Sequence, residues 1–154
     1  MLERIENEKI NEYWPIVLPG LKSSLPSPMW RNSEKGNRVL VALLMNAAQL
    51  WVECKKRKDK YADIRAFVIT SVFDDFLSGS RSLMVYAMWR HGDKPIEPLI
   101  WKAGVEKLNE FARENQCHQL TAYTDNDGVG KILKRAGWRG MEFLSIPVKG
   151  GEPQ

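Results

Sequence analysis

Apolar residues at Ile10, Trp14, Val17, Leu18 and Leu21 fall at a spacing that places them on one helical face, in a stretch interrupted by Pro15 and Pro19. A proline inside a helix removes a ladder hydrogen bond, so this stretch predicts two short helices, with Pro15 in the first turn of the second. Residues 25–33 read as loop, and Asn32 or Ser33 then caps a helix that carries Val39, Leu40, Leu43 and Leu44. The period shortens after that. Three runs rich in β-branched and aromatic residues, 49–55, 64–73 and 82–89, predict strands. The charged segment 56–61 and the segment 74–81, with its Ser78-Gly79-Ser80, join them, and an antiparallel meander is the simplest topology.

The pattern changes again at Pro98. Leu99, Ala103, Leu108, Phe111 and Ala112 form one stripe, which predicts an amphipathic helix started by a proline and running to about Asn115. A strand over 118–124 follows. Asp125-Asn126-Asp127-Gly128 then caps a short helix with Val129, Ile132, Leu133 and Ala136 inward, Gly137 stops it, and 141–148 predicts a last strand. This order gives an α/β fold of the α+β type: antiparallel amino-terminal strands, a central mixed sheet and flanking helices. The expected organisation is one domain over 1–148, mainly helical in 1–47 and carrying the sheet in 48–148, with 149–154 as a loose tail.

Composition agrees with a packed core. The chain has 154 residues, 44% of them hydrophobic, and includes six Trp, five Phe and four Tyr. Trp51, Trp89 and Trp138 suit core or sheet positions, whereas Trp14, Trp30 and Trp101 fall near helix starts and loops, where aromatic anchors often meet a partner protein. No apolar run reaches the ~18 residues of a membrane span, and Met1 to Glu8 is too polar to open a secretory signal, which points to the cytoplasm. Cys54, Cys117, His91 and His118 match no metal-ligand spacing, so no metal site is expected, and the cysteines read as ordinary small, mostly buried residues. The formal charge is +4. Much of the basic excess sits at Lys55, Lys56, Arg57, Lys58 and Lys60, with a second group at Lys131, Lys134, Arg135 and Arg139. Solvation explains such tips, and nucleic-acid contact through Lys55 to Lys58 is the distant alternative.

Phe111 to Leu120, followed by Thr124-Asp125-Asn126 and by Lys131-Ile132-Leu133-Lys134-Arg135-Ala136-Gly137-Trp138, resembles the carboxy-terminal half of the acyl-CoA N-acyltransferase (GNAT) superfamily. The resemblance covers about residues 48–148. More narrowly, with the Trp14-Pro15 region included, the chain resembles small GNAT-like proteins of tailed phages. The family fold implies acetyl-CoA as cofactor, lying where two central strands splay, with the backbone about 85–89, including Met88 and Trp89, beside the pantetheine. It also implies a Gly-rich turn holding the pyrophosphate at the start of the long helix, since free amides and the positive end of the helix dipole attract phosphate. Here that turn falls on Ile96-Glu97-Pro98-Leu99-Ile100-Trp101. It contains no glycine, Pro98 lacks an N–H, and Glu97 adds negative charge. A family Tyr that protonates the leaving thiolate corresponds to Leu133, which has no proton to give.

Two functions follow as expectations. One is a GNAT-fold protein with a degraded acyl-CoA site that acts by binding other proteins, as a phage-type component of particle assembly or genome delivery, virion-associated in that case. The alternative is an N-acetyltransferase that moves an acetyl group from acetyl-CoA to a primary amine. Candidate catalytic residues are Tyr123, with Tyr86 or a water as substitutes for the missing acid, and Asp74, beside Asp75, as base. Met88, Trp89, Arg90, Lys94 and Asn126 are the candidate cofactor contacts, His91 lying in the same polar loop. Each has a plainer reading: solvated turn for Asp74 and Asp75, polar loop for Arg90, His91 and Lys94, helix cap for Asn126.

Overall fold

The computed structural model describes residues 1–24, 35–55, 64–93, 95–124, 126–142, 144, 146 and 148–150. Its elements are β1 (Leu2–Arg4), a 3-10 turn (Asn7–Lys9), α1 (Ile10–Ser24), α2 (Lys35–Leu44), β2 (Gln49–Cys54), β3 (Ile64–Asp75), β4 (Ser80–Arg90), α3 (Pro98–Glu114), β5 (Gln119–Ala122) and α4 (Asp127–Arg135). The strands form a five-stranded sheet in chain order. β1 to β4 are antiparallel, and β5 lies parallel to β4 after the crossover through α3. This is the mixed sheet that the change of period at Pro98 predicts. Among the described residues no helix is long and apolar enough to cross a membrane.

Both faces of the sheet are covered, which is why its central strands are nearly continuous apolar runs. Leu50, Val52, Phe67, Ile69 and Ala87 pack with Ile10, Val17 and Leu21 of α1 and Leu43 of α2. Trp51, Leu83 and Val85 point the other way, against Leu108, Phe111 and Ala112 of α3. A small polar chain crosses this second layer: Trp51 Nε1 donates to Thr70 Oγ1 (2.9 Å), which donates to Gln49 Oε1 (2.9 Å). The buried indole N–H is thereby satisfied.

Two expectations are corrected. The two short helices predicted around Pro15 are one, since α1 runs unbroken through Pro15 and Pro19. The prolines are four residues apart and both exposed, so the carbonyls they deprive of partners face water, while Val17, Gly20 and Leu21 bury the opposite face. The last strand is not found among the described residues: none of those in 141–148 lies in a strand, and Met141, Leu144, Ile146 and Val148 are 89%, 86%, 88% and 77% exposed. Apolar alternation expresses a preference for extended backbone, and a strand additionally needs a partner edge. β5 offers a short one, of four residues. The proposed caps Asn32 and Ser33 and the connection 56–61 lie outside the described residues.

The helix ends explain where the chain turns. α4 ends as its Gly predicts: Gly137 takes φ +91°, its N–H donates to Lys134 O, and Trp138 N–H reaches back to Leu133 O. α2 and α3 close with the same pair of bonds around Asn46 (φ 61°) and Gln116 (φ 59°), residues that a search for glycine passes over.

Candidate active site

The sheet opens at one end. β4 and β5 pair from Ser82↔Gln119 to Val85↔Ala122, while β4 continues to Arg90, leaving its backbone over 86–90 without a β5 partner. At the point of divergence β4 carries a bulge: Ile69 pairs with Ala87 and Thr70 with Val85, so that Tyr86 is the extra residue. A bulge bends its strand and re-aims the groups beside it, and here it does so where the strands part. Tyr86 is half-buried, and burial pushes its phenol above the ordinary value, so that it keeps its proton at neutral pH.

Two adjoining spaces lie at this end. An apolar cavity of about 60 Å³ sits between sheet and α3, lined among others by Val85, Met88, Trp101, Gly104, Ala122 and Leu133. A wider cleft of about 580 Å³ is bordered by Lys55, Arg65, Trp89, Arg90, His91 and Glu97. Ile96, Ile100, Ala66 and Glu53 line both. Within the turn thought to meet phosphate, Leu99 is 79% exposed and borders neither space, so its bulk stands in water and does not fill the cleft. Glu97 precedes α3 without making a side-chain cap, Pro98 holds the first helical position, and Trp101 N–H donates to the Glu97 carbonyl at 3.0 Å.

The candidates named from sequence scatter. Met88, Trp89 and Arg90 are together at the opening; Met88 turns to the α3 layer, and Trp89 to the α1 layer, stacked on Phe67 at 5.3 Å. Arg90 donates to Asp93 O (3.3 Å), and Lys94 lies outside the described residues. Tyr123 follows the end of β5 and is 46% exposed. Asn126 caps α4, its Oδ1 accepting from Gly128 N (2.9 Å) and Val129 N (3.2 Å), which is the plainer of its two readings. Asp74 stands at the other end of the sheet, paired across the hairpin with Arg81 at 3.2 Å, roughly 30 Å along the strand from Arg90 at ~3.3 Å per residue. It does not share the cleft with the others. Lys55 is exposed on the cleft border, whereas Lys56, Arg57 and Lys58 lie outside the described residues.

One residue escaped the sequence reading. Glu53 belongs to the apolar run of β2, and its side chain is only 8% exposed. Its Oε1 accepts a hydrogen bond from the Met1 ammonium at 3.0 Å, while Oε2 lies 2.9 Å from the same nitrogen without hydrogen-bond alignment. The available signal was alternation, because Glu53 shares a face with Trp51 and therefore points inward. Cys54 and Cys117 are half-buried, and burial raises both thiols above their ordinary values, the Arg81 guanidinium opposing this only in part at Cys117. Neither has the low pKa of a nucleophilic thiolate.

Compared with solved structures, the chain matches acetyltransferases over almost its whole length. A predicted acetyltransferase with acetyl-CoA from Clostridium acetobutylicum superposes with a TM-score of 0.68 at 14% identity, covering 99% of both chains. The chain has the GNAT fold. The ribosomal-protein-alanine N-acetyltransferase of Brucella melitensis biovar Abortus 2308 gives a TM-score of 0.62 at 16% identity, covering 96% of this chain and 98% of that one. An aminoglycoside N-acetyltransferase in complex with CoA gives 0.63 at 12% identity, with 96% and 98% covered. No family model matches the sequence, and no curated protein matches it.

The residues present fit acyl-CoA in part. On the favourable side stand the free β4 backbone edge over 86–90, the bulge at Tyr86 and the cleft with Arg65 and Arg90 on its border. On the other side, residues 96–101 contain no glycine and the carboxylate of Glu97 opposes phosphate.

Proposed function

We propose that the protein is an N-acetyltransferase that uses acetyl-CoA and a primary-amine acceptor. The observation that carries this reading is the stretch of β4 after Val85 that β5 no longer pairs, bulged at Tyr86 and opening onto a cleft, on a fold shared with acetyltransferases. Those neighbours include enzymes named for an alanine of a ribosomal protein and for aminoglycosides, both of which offer primary amines. These likenesses favour acetyl transfer over a role in particle assembly. Acetyl-CoA supplies an activated thioester. The chain's part is to align that thioester along the β4 edge that β5 has left and to neutralise phosphate with Arg90 and Arg65; Tyr86, which packs on the α1 side of the sheet and borders neither space, and Tyr123 are the candidate proton sources.

Calorimetric titration with acetyl-CoA tests the reading. Binding in the micromolar range, about −8 kcal/mol, is expected, and it should weaken with added salt because the phosphates are held by exposed cations screened over about 8–10 Å. A folded protein that takes up no CoA, and transfers no acetyl group to any amine supplied, overturns it. With transfer in hand, Tyr86→Phe should lower kcat by about 10²-fold or more while leaving CoA affinity unchanged, the usual scale for losing a general acid.

A further inference from the structure

We propose that Glu53 is the ammonium-binding residue of the cleft, and that it selects a primary amine carried on a short alkyl stem. The inference deepens the acetyl-transfer reading and rests on it for its reaction, while the binding itself is argued from geometry. A carboxylate with 8% side-chain exposure has given up most of its water, and such a charge is tolerated only with a cation against it. The walls around it cannot supply one: Leu2, Ala66, Ile96 and Ile100 are apolar, and the cations Lys55, Arg65 and Arg90 border the wider cleft without a bond to Glu53 among those the structure records. What lies against the carboxylate is a primary ammonium, that of Met1, at 2.9 and 3.0 Å.

The two ends of this pair are unequal. Met1 is 78% exposed and its ammonium can return to water with little change in solvation, whereas Glu53 stays buried and must keep a cation. An ammonium arriving through the cleft therefore replaces it like for like. The strand register sets Glu53 opposite Ala66, and Ala66 opposite Arg90, so the carboxylate lies in one row across β2, β3 and the open end of β4. An amine bound there sits at the end of the sheet where β4 has left β5. The apolar side chains beside the carboxylate, Ile96 and Ile100 above all, suit a stem of a few methylene groups.

The test uses the full chain with n-butylamine, its neutral isostere n-butanol, and butyltrimethylammonium, which keeps the charge but has no N–H to donate. Binding is followed by calorimetry, with thermal unfolding as the check on folding. Wild-type protein should prefer butylamine over both other probes by on the order of tenfold. Glu53→Gln should abolish that preference, and Glu53→Asp, one carbon shorter but still charged, should keep part of it. Equal binding of the three probes to the wild type overturns the proposal, and so does an undiminished preference in folded Glu53→Gln. If Glu53→Gln does not fold, the comparison among the three probes and the Asp variant decides: an Asp variant as selective as wild type at equal affinity counts against a role for carboxylate position. Acetyl-CoA titration of the same samples is read separately. Loss of CoA binding with amine preference intact would sink the acetyl-transfer reading alone, whereas CoA binding and transfer without amine preference would sink the assignment of Glu53 alone.

Discussion

A Cβ atom on Gly20 would lie 2.7 Å from the indole ring of Trp89, and as close to Phe67. Real Cβ atoms do not approach so near, so the close seating of α1 on the sheet depends on this glycine having no side chain. Trp89 is thereby held from both sides, stacked on Phe67 and covered by α1, which fixes the last turn of β4 before the cleft. Gly20→Ala should destabilise the protein by about 1–3 kcal/mol, because the clash with two packed rings outweighs the gain in helix propensity. Urea unfolding checks the sign. An unchanged midpoint would mean that α1 can shift off the sheet to admit a methyl group at no cost.

The same substitution at Gly104 should act in the opposite direction. Gly104 lies in α3 with its nearest outside atom, Leu2 Cδ2, 3.8 Å from a built Cβ, an ordinary contact, and it borders the apolar cavity. Alanine there adds helix propensity of about 1 kcal/mol and places a methyl group in void space. The expected result is a rise in Tm of about 2–4 °C for a chain of this size. If the cavity receives part of the acyl group, the variant will also lose activity, and measuring both quantities separates the two effects.

What could be read from sequence, and what could not, follows from how local each cause is. Pro98 and Gly137 punctuate the chain by themselves, and α3 and α4 begin and end where those residues predict. β1 could not be read, since Leu2, Glu3 and Arg4 become a strand only because β2 offers an edge. The run through Leu144, Ile146 and Val148 had the alternation, yet its described residues lie in no strand. At the site, Arg90 and Trp89 were legible through their place at the end of a strand. The bulge at Tyr86 was not, because one extra residue leaves no mark on a period of two until the partner strand is known. Leu99 shows the other side: its residue type argued for a filled cleft, and its direction, set by the helix, turned it to water.

Asp75 closes the β3–β4 turn, accepting from Ser78 Oγ at 2.6 Å and from Leu77 N at 3.1 Å. The Ser78 hydroxyl bond, and after it the Leu77 amide, favour the ionised form and hold the carboxyl below its ordinary value. A group whose folded pKa is depressed adds stability above its unfolded pKa, about 3.9 for Asp, and loses it as pH falls through the folded value. Asp75→Asn keeps an acceptor for Leu77 and removes the charge. The variant should therefore be less stable than wild type at pH 7, and the gap should close on acidification below about pH 4. A gap that does not narrow at all as pH falls through the carboxylate range would assign it to geometry and not to ionisation.

Gln116 ends α3 with φ 59°, the left-handed region that L residues other than Asn, Asp and Gly rarely adopt. The bonds it allows, Gln116 N to Arg113 O at 3.1 Å and Cys117 N to Ala112 O at 2.8 Å, close the helix and aim the chain into β5, so the strain is tolerated and not relieved. Gln116→Gly removes the steric cost of about 1 kcal/mol at this torsion. The greater freedom of glycine in the unfolded chain takes back part of it, leaving a net gain of about 0.5 kcal/mol. Asn46, at the end of α2 with φ 61°, is the control. Asparagine already tolerates this region, and its Oδ1 accepts from Arg4 Nη2 at 2.7 Å, a contact that ties β1 to the end of α2. Asn46→Gly should therefore be neutral or destabilising where Gln116→Gly stabilises. Thermal unfolding of the two variants side by side measures the difference, and equal shifts would show that backbone torsion, without the side-chain bond, governs both helix ends.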